Sequence, residues 1–393
     1  MPPQNQTFEL TRAAGDRGSR PGAAPVPAGL KAPAVQPIVI AFGRLGDMIM
    51  LSSVLQLLHR RFGRRCLVIG AGAWNLRLYE QHADVERVLT FPRHFPFILT
   101  MAWWRVLWAL HRSSPGPIYV CERQPRQLAR IRRMLAFSAV DASRCLFLGD
   151  LPGQEEHWVD RFIRLGQLTP ASIPAAQYPS TLSWKPAPRL SVSGTERAEM
   201  DAWLRTRGWQ GRRLVLIQPG NFRSMSRRRE RWRRLNADDK AWPLRNWVSL
   251  SRSVLEAMPD ALVVLCGAPQ EGAMLQEIQA AADLPSVVVA ELPLRQLLAM
   301  SETAHSMISV DTGPAHAAAA LGLSLVVMFG AESQGEWLPR SPSGSAVIGM
   351  GGPPISNRVD QICVDEVFAA WCSLLPAIQN REESSPAKRE CAS

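Results

Sequence analysis

Apolar positions along this chain follow two alternating patterns. Short β-branched runs bounded by glycine or proline predict strands, and longer stretches with apolar residues three and four apart predict helices. The first pair is a strand over Pro37–Phe42 and a helix over Met48–Phe62, joined by the loop Gly43–Asp47. The alternation continues with a strand at 66–69, a helix at 74–82 and a strand at 86–90. A helix over Phe95–Arg112, a strand over Ile118–Cys121, a helix over Arg126–Phe137, a strand over Arg144–Leu148 and a helix over His157–Leu168 follow. Residues 171–194 are rich in Pro and Ser and read as the boundary between two units. Beyond it come a helix over Thr195–Arg207, with an N-cap at Gly194 or Thr195, and a strand over Leu214–Ile217. A helix over Leu244–Met258 and a strand over Ala261–Leu265 continue the second unit. Val287–Ala290, Leu294–Ala299 and the stretch Ser306–Gly330 are expected to complete its sheet, and Asp365–Ala377 to form a last helix. Two successive α/β units with parallel sheets are predicted.

Composition bounds the outcome. The 393 residues, 46% hydrophobic and 20% charged, are enough for two domains with separate cores. The expected division is a disordered arm at 1–35, a first domain at 36–175, a linker at 176–194, a second domain at 195–380 and a flexible tail at 381–393. The net charge of +11 is nearly all arginine, the lysines being Lys31, Lys185, Lys240 and Lys388. That balance favours acidic partners: phosphates, anionic lipid surfaces or nucleic acid. The seven cysteines are scattered without a Cys-x-x-Cys pair, which argues against a metal or disulfide framework and for a reducing compartment. No segment reaches the ~20 apolar residues of a membrane span, and the N-terminus lacks the apolar core of a secretory signal. The nearest to a span is Phe95–Leu110, interrupted by Arg105; as a helix it carries Trp103, Trp104 and Trp108 beside Arg105 and Arg112. It suits either a membrane interface or a core helix.

The candidate chemistry centres on Ser306–Gly330. Met307–Val310 reads as a strand, Asp311-Thr312-Gly313 as a tight loop supplying an N-cap, and Pro314 as a residue at home in a first helical turn. Ala315–Leu321 is an alanine-rich helix that Gly322 can end, and its N-terminus would offer free N–H groups and a positive dipole end. Asp311, Thr312, Gly313 and His316 around that end make a candidate diphosphate cradle; the bland alternative is an Asp311 that only caps and a His316 that only packs. The loop Gly43-Arg44-Leu45-Gly46-Asp47 follows the first strand but lacks Gly-x-Gly-x-x-Gly, as does Gly70-Ala71-Gly72, so a nicotinamide enzyme is disfavoured. By itself Asp47 reads most simply as a helix cap. Gln218-Pro219-Gly220 can expose backbone N–H groups at a strand exit, and Glu271 can accept from a ribose or begin a helix. Arg223–Arg234, holding six arginines between 227 and 234, is a solvated loop or a phosphate site. Lys240, followed by Trp242-Pro243, is a compact charge suited to a diphosphate or a plain surface lysine.

Three of these stretches resemble the ADP-heptose:lipopolysaccharide heptosyltransferases, glycosyltransferase family 9. Asp311, Thr312, Gly313 and His316 match the family's Asp-Thr-Gly-x-x-His donor signature. Lys240 with Trp242-Pro243 matches a donor-side element, and Arg44, Gly46 and Asp47 match the opening motif, whose aspartate is taken as general base. The resemblance spans about residues 37–375 and implies the GT-B fold, two Rossmann-like domains facing a cleft. It implies inverting transfer of a heptose from ADP-heptose to a lipopolysaccharide core acceptor, with Asp47 and Lys240 catalytic and Gly220, Glu271, Asp311, Thr312, Gly313 and His316 on the donor. Arg44 and Gly46 would support the loop. The helix dipole and basic side chains are expected to replace a divalent metal, so no metal or other cofactor is expected. The expected partners are a nucleotide sugar, a lipid-linked glycan acceptor and an anionic inner-membrane surface, with the protein cytoplasmic and peripheral. The alternatives are a GT-B transferase using another nucleotide sugar for a surface glycan, or a basic nucleic-acid-binding protein; no motif interleaves aromatics with the basic run to favour the latter.

Overall fold

The computed structural model describes residues 34–91, 100–112, 116–180, 184–221 and 238–384. The N-terminal arm up to residue 33, the arginine run 223–234 and the end of the tail lie outside the described residues.

The first sheet is built from β1 (Ile38–Ala41), β2 (Cys66–Ala71), β3 (Val85–Phe91), β4 (Ile118–Val120) and β5 (Cys145–Phe147). These alternate with α1 (Leu45–Phe62), α2 (Trp74–Leu78), α3 (Met101–Arg112), α4 (Pro125–Phe137) and α5 (Trp158–Gln167). The strands are parallel and lie in the order β3-β2-β1-β4-β5. The second unit runs α6 (Gly194–Thr206), β6 (Arg213–Gln218), α7 (Leu244–Ala257), β7 (Ala261–Gly267), α8 (Gly272–Ala282), β8 (Val287–Glu291) and α9 (Leu294–Thr303). Then come β9 (Ser306–Val310), α10 (Gly313–Ala320), β10 (Leu325–Phe329), α11 (Gln334–Trp337), β11 (Val347–Gly351) and α12 (Val364–Ser384). Its sheet is also parallel, in the order β11-β10-β9-β6-β7-β8. Strand order therefore reverses between β1 and β4 in one sheet and between β6 and β9 in the other. A crevice opens at the carboxyl ends of strands flanking such a reversal.

Four local expectations differ from the structure. Leu294–Ala299 belongs to a helix: buried Leu297, Leu298 and Ser301 repeat at helical spacing, and Pro293 occupies the N-cap. The N-cap of α6 is Ser193, which closes a capping box with Glu196, so the cap precedes both glycine and threonine. The helix expected over 74–82 stops at Leu78: Tyr79 is its C-cap, and Gln81 takes φ +58° in the turn that returns the chain to β3. The last helix begins at Val364 and continues beyond Ala377, carrying Pro376 within it.

The segment between the units is bound back to the first one. Arg61, buried on α1, donates to the carbonyls of Leu168 (3.0 Å), Tyr178 (2.9 Å) and Pro179 (3.2 Å) and to Thr169 Oγ1 (2.8 Å). Arg189 meets buried Asp84 at 2.6 Å, and its backbone N–H donates to Ser52 Oγ at 2.9 Å. Across the two units, Arg340 forms a two-pronged pair with Asp160 at 2.6 Å on both sides. The Trp158 and Trp337 rings lie 5.3 Å apart, and His157 Nε2 donates to the Leu338 carbonyl at 2.8 Å.

Burial and the nearby Arg340 charge push His157 down to about 4 from an ordinary 6.5. The unfolded chain binds the proton first, so stability present above pH 6.5 is lost as pH falls toward 4. We expect a loss of about 2–3 kcal/mol across that window. Melts between pH 7 and 4.5 should show a shallower decline for His157→Gln than for the parent; an identical slope would place the acid sensitivity elsewhere.

Candidate active site

Loops leaving the two reversal points converge on one cavity of about 400 Å³. Its walls include Arg44, Gly46 and Asp47 after β1 and Arg123 after β4. From the second sheet come Gly220 after β6, Glu271 after β7 and Asp311, Thr312, Gly313 and His316 after β9, with Lys240 beside them. Every site residue expected from the sequence thus lines this space, and its size suits a small ligand.

Two helix N-termini from different sheets meet at its floor. A Cβ on Gly46 would stand 3.0 Å from His316 Cδ2, and one on Gly313 would stand 2.7 Å from Leu45 Cβ. Glycine at both positions is what lets α1 and α10 approach. Asp47 lies in the first turn of α1, where its Oδ2 accepts the Arg44 backbone N–H at 2.7 Å. The capping role is therefore present, and the same carboxylate borders the cavity. Buried Glu122 steadies this loop from below: its carboxylate accepts the backbone N–H groups of Phe42 (3.0 Å), Arg123 (3.0 Å) and Gln124 (2.9 Å), tying the exits of β1 and β4 together.

Asp311 does not cap. Thr312 is the N-cap of α10, no side chain caps that helix, and α10 begins at Gly313. The Asp311 carboxylate instead meets Lys240 Nζ at 2.5 Å, and the same ammonium donates to the Asp311 carbonyl at 3.2 Å. His316 Nε2 stands 3.8 Å from the other carboxylate oxygen, an ion-pair distance. Burial pushes the Asp311 pKa up, but His316 and Lys240 outweigh it and hold the carboxyl below its usual range. An ionised carboxylate thus fixes a half-buried ammonium at an uncapped helix N-terminus, an arrangement that can hold and neutralise a diphosphate.

The lysine is itself positioned by its neighbours. Its backbone N–H donates to Asp238 Oδ1 (3.2 Å), and Asn221 donates to Asp238 Oδ2 (2.9 Å). Asp239 accepts the Ala331 N–H at 2.7 Å, which joins the lysine loop to the exit of β10. Trp242, buried against Trp247, donates its indole N–H to the Ile362 carbonyl at 3.0 Å and anchors the far side of the loop. Glu271 accepts the Ala268 N–H at 2.9 Å while facing the cavity beside Leu292, Leu294 and Leu297. Among the described residues no group of three or more His, Cys, Asp or Glu side chains is disposed to hold a metal.

Sequence reasoning missed Arg123 and Trp337. The Arg123 guanidinium lies 4.7 Å from the Trp337 ring and 5.1 Å from the Trp158 ring, so indoles from both units hold it at the cavity wall. Its place after a strand at the reversal point was readable; its partner 214 positions on was not. Asp239 also escaped, although it stands next to Lys240.

The chain has the fold of the GT-B glycosyltransferases, and it is a glycosyltransferase. The sequence model of glycosyltransferase family 9 (heptosyltransferase) matches residues 231–362. A family 9 glycosyl transferase from Veillonella parvula superposes with a TM-score of 0.69 at 13% identity, covering 87% of this chain and 97% of that one. E. coli ADP-heptose lps heptosyltransferase II gives 0.65 at 18% identity, covering 88% and 99%. E. coli heptosyltransferase WaaC with ADP gives 0.60 at 17% identity, covering 86% and 99%. No curated protein matches the chain in sequence.

Removing Asp311 should separate site from scaffold. Asp311→Ala strands the Lys240 ammonium and is expected to lose about 1.5–3 kcal/mol of stability, the range for a hydrogen bond to a charged group. Nucleotide affinity and turnover should fall at least tenfold in protein that remains folded. Calorimetric titration of the folded variant with ADP is the check; unchanged affinity together with full turnover would remove Asp311 and Lys240 from the donor site.

Proposed function

We propose that the protein is an inverting heptosyltransferase that moves a heptose from ADP-heptose to a hydroxyl of a lipopolysaccharide core acceptor, acting in the cytoplasm at the inner-membrane surface. The observation that carries this reading is the sharing of one cavity by Asp47 of the first unit and the Lys240–Asp311 pair of the second. The first domain, 36–175, holds the acceptor side, and the second, 195–380, holds the nucleotide.

The chemistry follows from that placement. The acceptor hydroxyl attacks the anomeric carbon from the face opposite the diphosphate, and Asp47 takes its proton as the new C–O bond forms. The bond from the anomeric carbon to the diphosphate oxygen breaks, and ADP departs with the electron pair. Lys240 and the α10 N-terminus face the growing charge on that diphosphate, with His316 beside them. Because Asp311 already holds Lys240, little rearrangement is needed as charge develops. One displacement inverts the anomeric centre. On the nucleotide side, Glu271 suits the ribose hydroxyls, and the leucine wall at 292, 294 and 297 suits a base. Gly220 lets the backbone approach the ligand closely. The similarity to an E. coli heptosyltransferase known with ADP supports ADP as the nucleotide.

Two measurements test this reading. In a thermal-shift panel of ADP, UDP, GDP and NAD, ADP should raise the melting temperature most; a larger rise with UDP or GDP would move the protein to another nucleotide sugar. Asp47→Asn keeps the size of the side chain and an oxygen for the Arg44 N–H but removes the basicity. ADP affinity should survive while turnover with ADP-heptose and a lipid A core acceptor falls by roughly 10²–10⁴-fold. Near-normal turnover would show that Asp47 is only a cap.

A further inference from the structure

One side of the first sheet is covered by α3 and α4. They bury Trp103, Val106, Leu110, Ile131, Met134 and Leu135 against the strands. Their outward faces are unlike the rest of the surface. On α3, Met101, Trp104 and Trp108 are 72%, 56% and 58% exposed, and Phe137 at the end of α4 is 77% exposed. These are four of the seven large apolar side chains that stand exposed among the described residues. Arg105 and Arg112 lie on the same face of α3, since positions 101, 104, 105, 108 and 112 repeat at helical spacing. Exposed Arg126, Arg130 and Arg133 line α4.

The two faces form one surface. His111 Nδ1 donates to the Ser138 carbonyl at 3.3 Å, which sets the ends of α3 and α4 side by side and groups Trp108, Arg112 and Phe137 at one corner. The Arg112 guanidinium lies 4.9 Å from the Trp108 ring centre. Across both helices there are six arginines and no carboxylate, and Arg132 pairs with Asp150 at 3.2 Å. Indole rings favour the boundary between water and hydrocarbon, and arginine buries its stem while its head stays with phosphates. A surface combining them on two helices that carry no Asp or Glu of their own matches anionic lipid in charge and polarity. It also adjoins the cleft: α4 starts at Pro125, two residues beyond Arg123 in the cavity wall.

We propose that the outward face of α3 and α4 docks the protein on an anionic bilayer, so that a lipid-anchored acceptor reaches the Asp47 side of the cavity. The acceptor clause rests on the heptosyltransferase reading; the docking surface does not. The test is flotation of the full chain with phosphatidylcholine vesicles, with and without phosphatidylglycerol, at low salt. The parent should float with the anionic vesicles only, and added salt should release it. Trp104→Ser with Trp108→Ser, and separately Arg130→Gln with Arg133→Gln, should each weaken binding by roughly 10- to 30-fold. Both variants should keep the parent's ADP affinity and its turnover on a deacylated, water-soluble acceptor. A parent that fails to float, or variants that float as the parent does, would overturn the proposal. The second outcome would hand the lipid contact to residues 1–35, which the variants leave unchanged. Flotation as expected, with no turnover on any heptose acceptor, would instead sink the functional reading and leave the surface standing.

Discussion

The close approach of α1 and α10 is the constraint on which the site depends. Two helix N-termini, one from each unit, point their positive ends toward the same cavity, and Gly46 and Gly313 allow the contact. Bringing two such ends together is electrostatically unfavourable unless negative charge lies near them. Asp47 and Asp311 provide it, one in the first turn of each meeting helix or just before it. A diphosphate entering the cavity adds further negative charge where the fold already favours it. The same arrangement sets the Asp47 carboxylate and the Lys240–Asp311 pair on the walls of one cavity.

Because α1 and α10 pack along each other, the two units also share apolar contacts. One continuous core cluster includes Met48, Leu51 and Leu55 of α1 and Ala315 and Ala317–Ala320 of α10. The small alanine face brings the helices close. Around that shared core the polar contacts are placed at the rim: Asp160 with Arg340, His157 with Leu338, and Arg123 between two indoles. The cavity's geometry is thereby tied to the packing between units.

The arginine excess has a structural meaning that a net charge of +11 conceals. Arg61 gathers the carbonyls of the connecting segment, Arg189 pairs with Asp84, Arg295 pairs with Glu196 at 2.5 Å, and Arg340 bridges the units. A planar guanidinium with several donors suits these roles better than an ammonium would. At the cavity the compact charge is a lysine, Lys240. Six further arginines lie on α3 and α4, where exposed tryptophans accompany them. Much of the basic charge is therefore accounted for without nucleic acid.

The sequence by itself determined the alternation of strands and helices, because each element's apolar period is a local property. It also determined the family motifs, since Arg44–Asp47, Lys240–Pro243 and Asp311–His316 are short and contiguous. Where an expectation rested on a few apolar residues, as at Leu294–Ala299, it placed in the sheet a run that packs as a helix, because so short a run does not separate the two periods. Only tertiary structure decided what the motif residues do to one another. Asp311 could be read as a cap from its position before a helix; its ion pair with a lysine 71 positions earlier depends on two loops leaving different strands of one sheet. Arg123, Trp158 and Trp337 come from three separate elements, and no local pattern announces that they stack. Likewise the tryptophans of α3 could face core or solvent until packing chose: Trp103 turned to the sheet, and Trp104 and Trp108 to the outside. Side-chain period follows from the chain, whereas which face meets which depends on how distant segments pack.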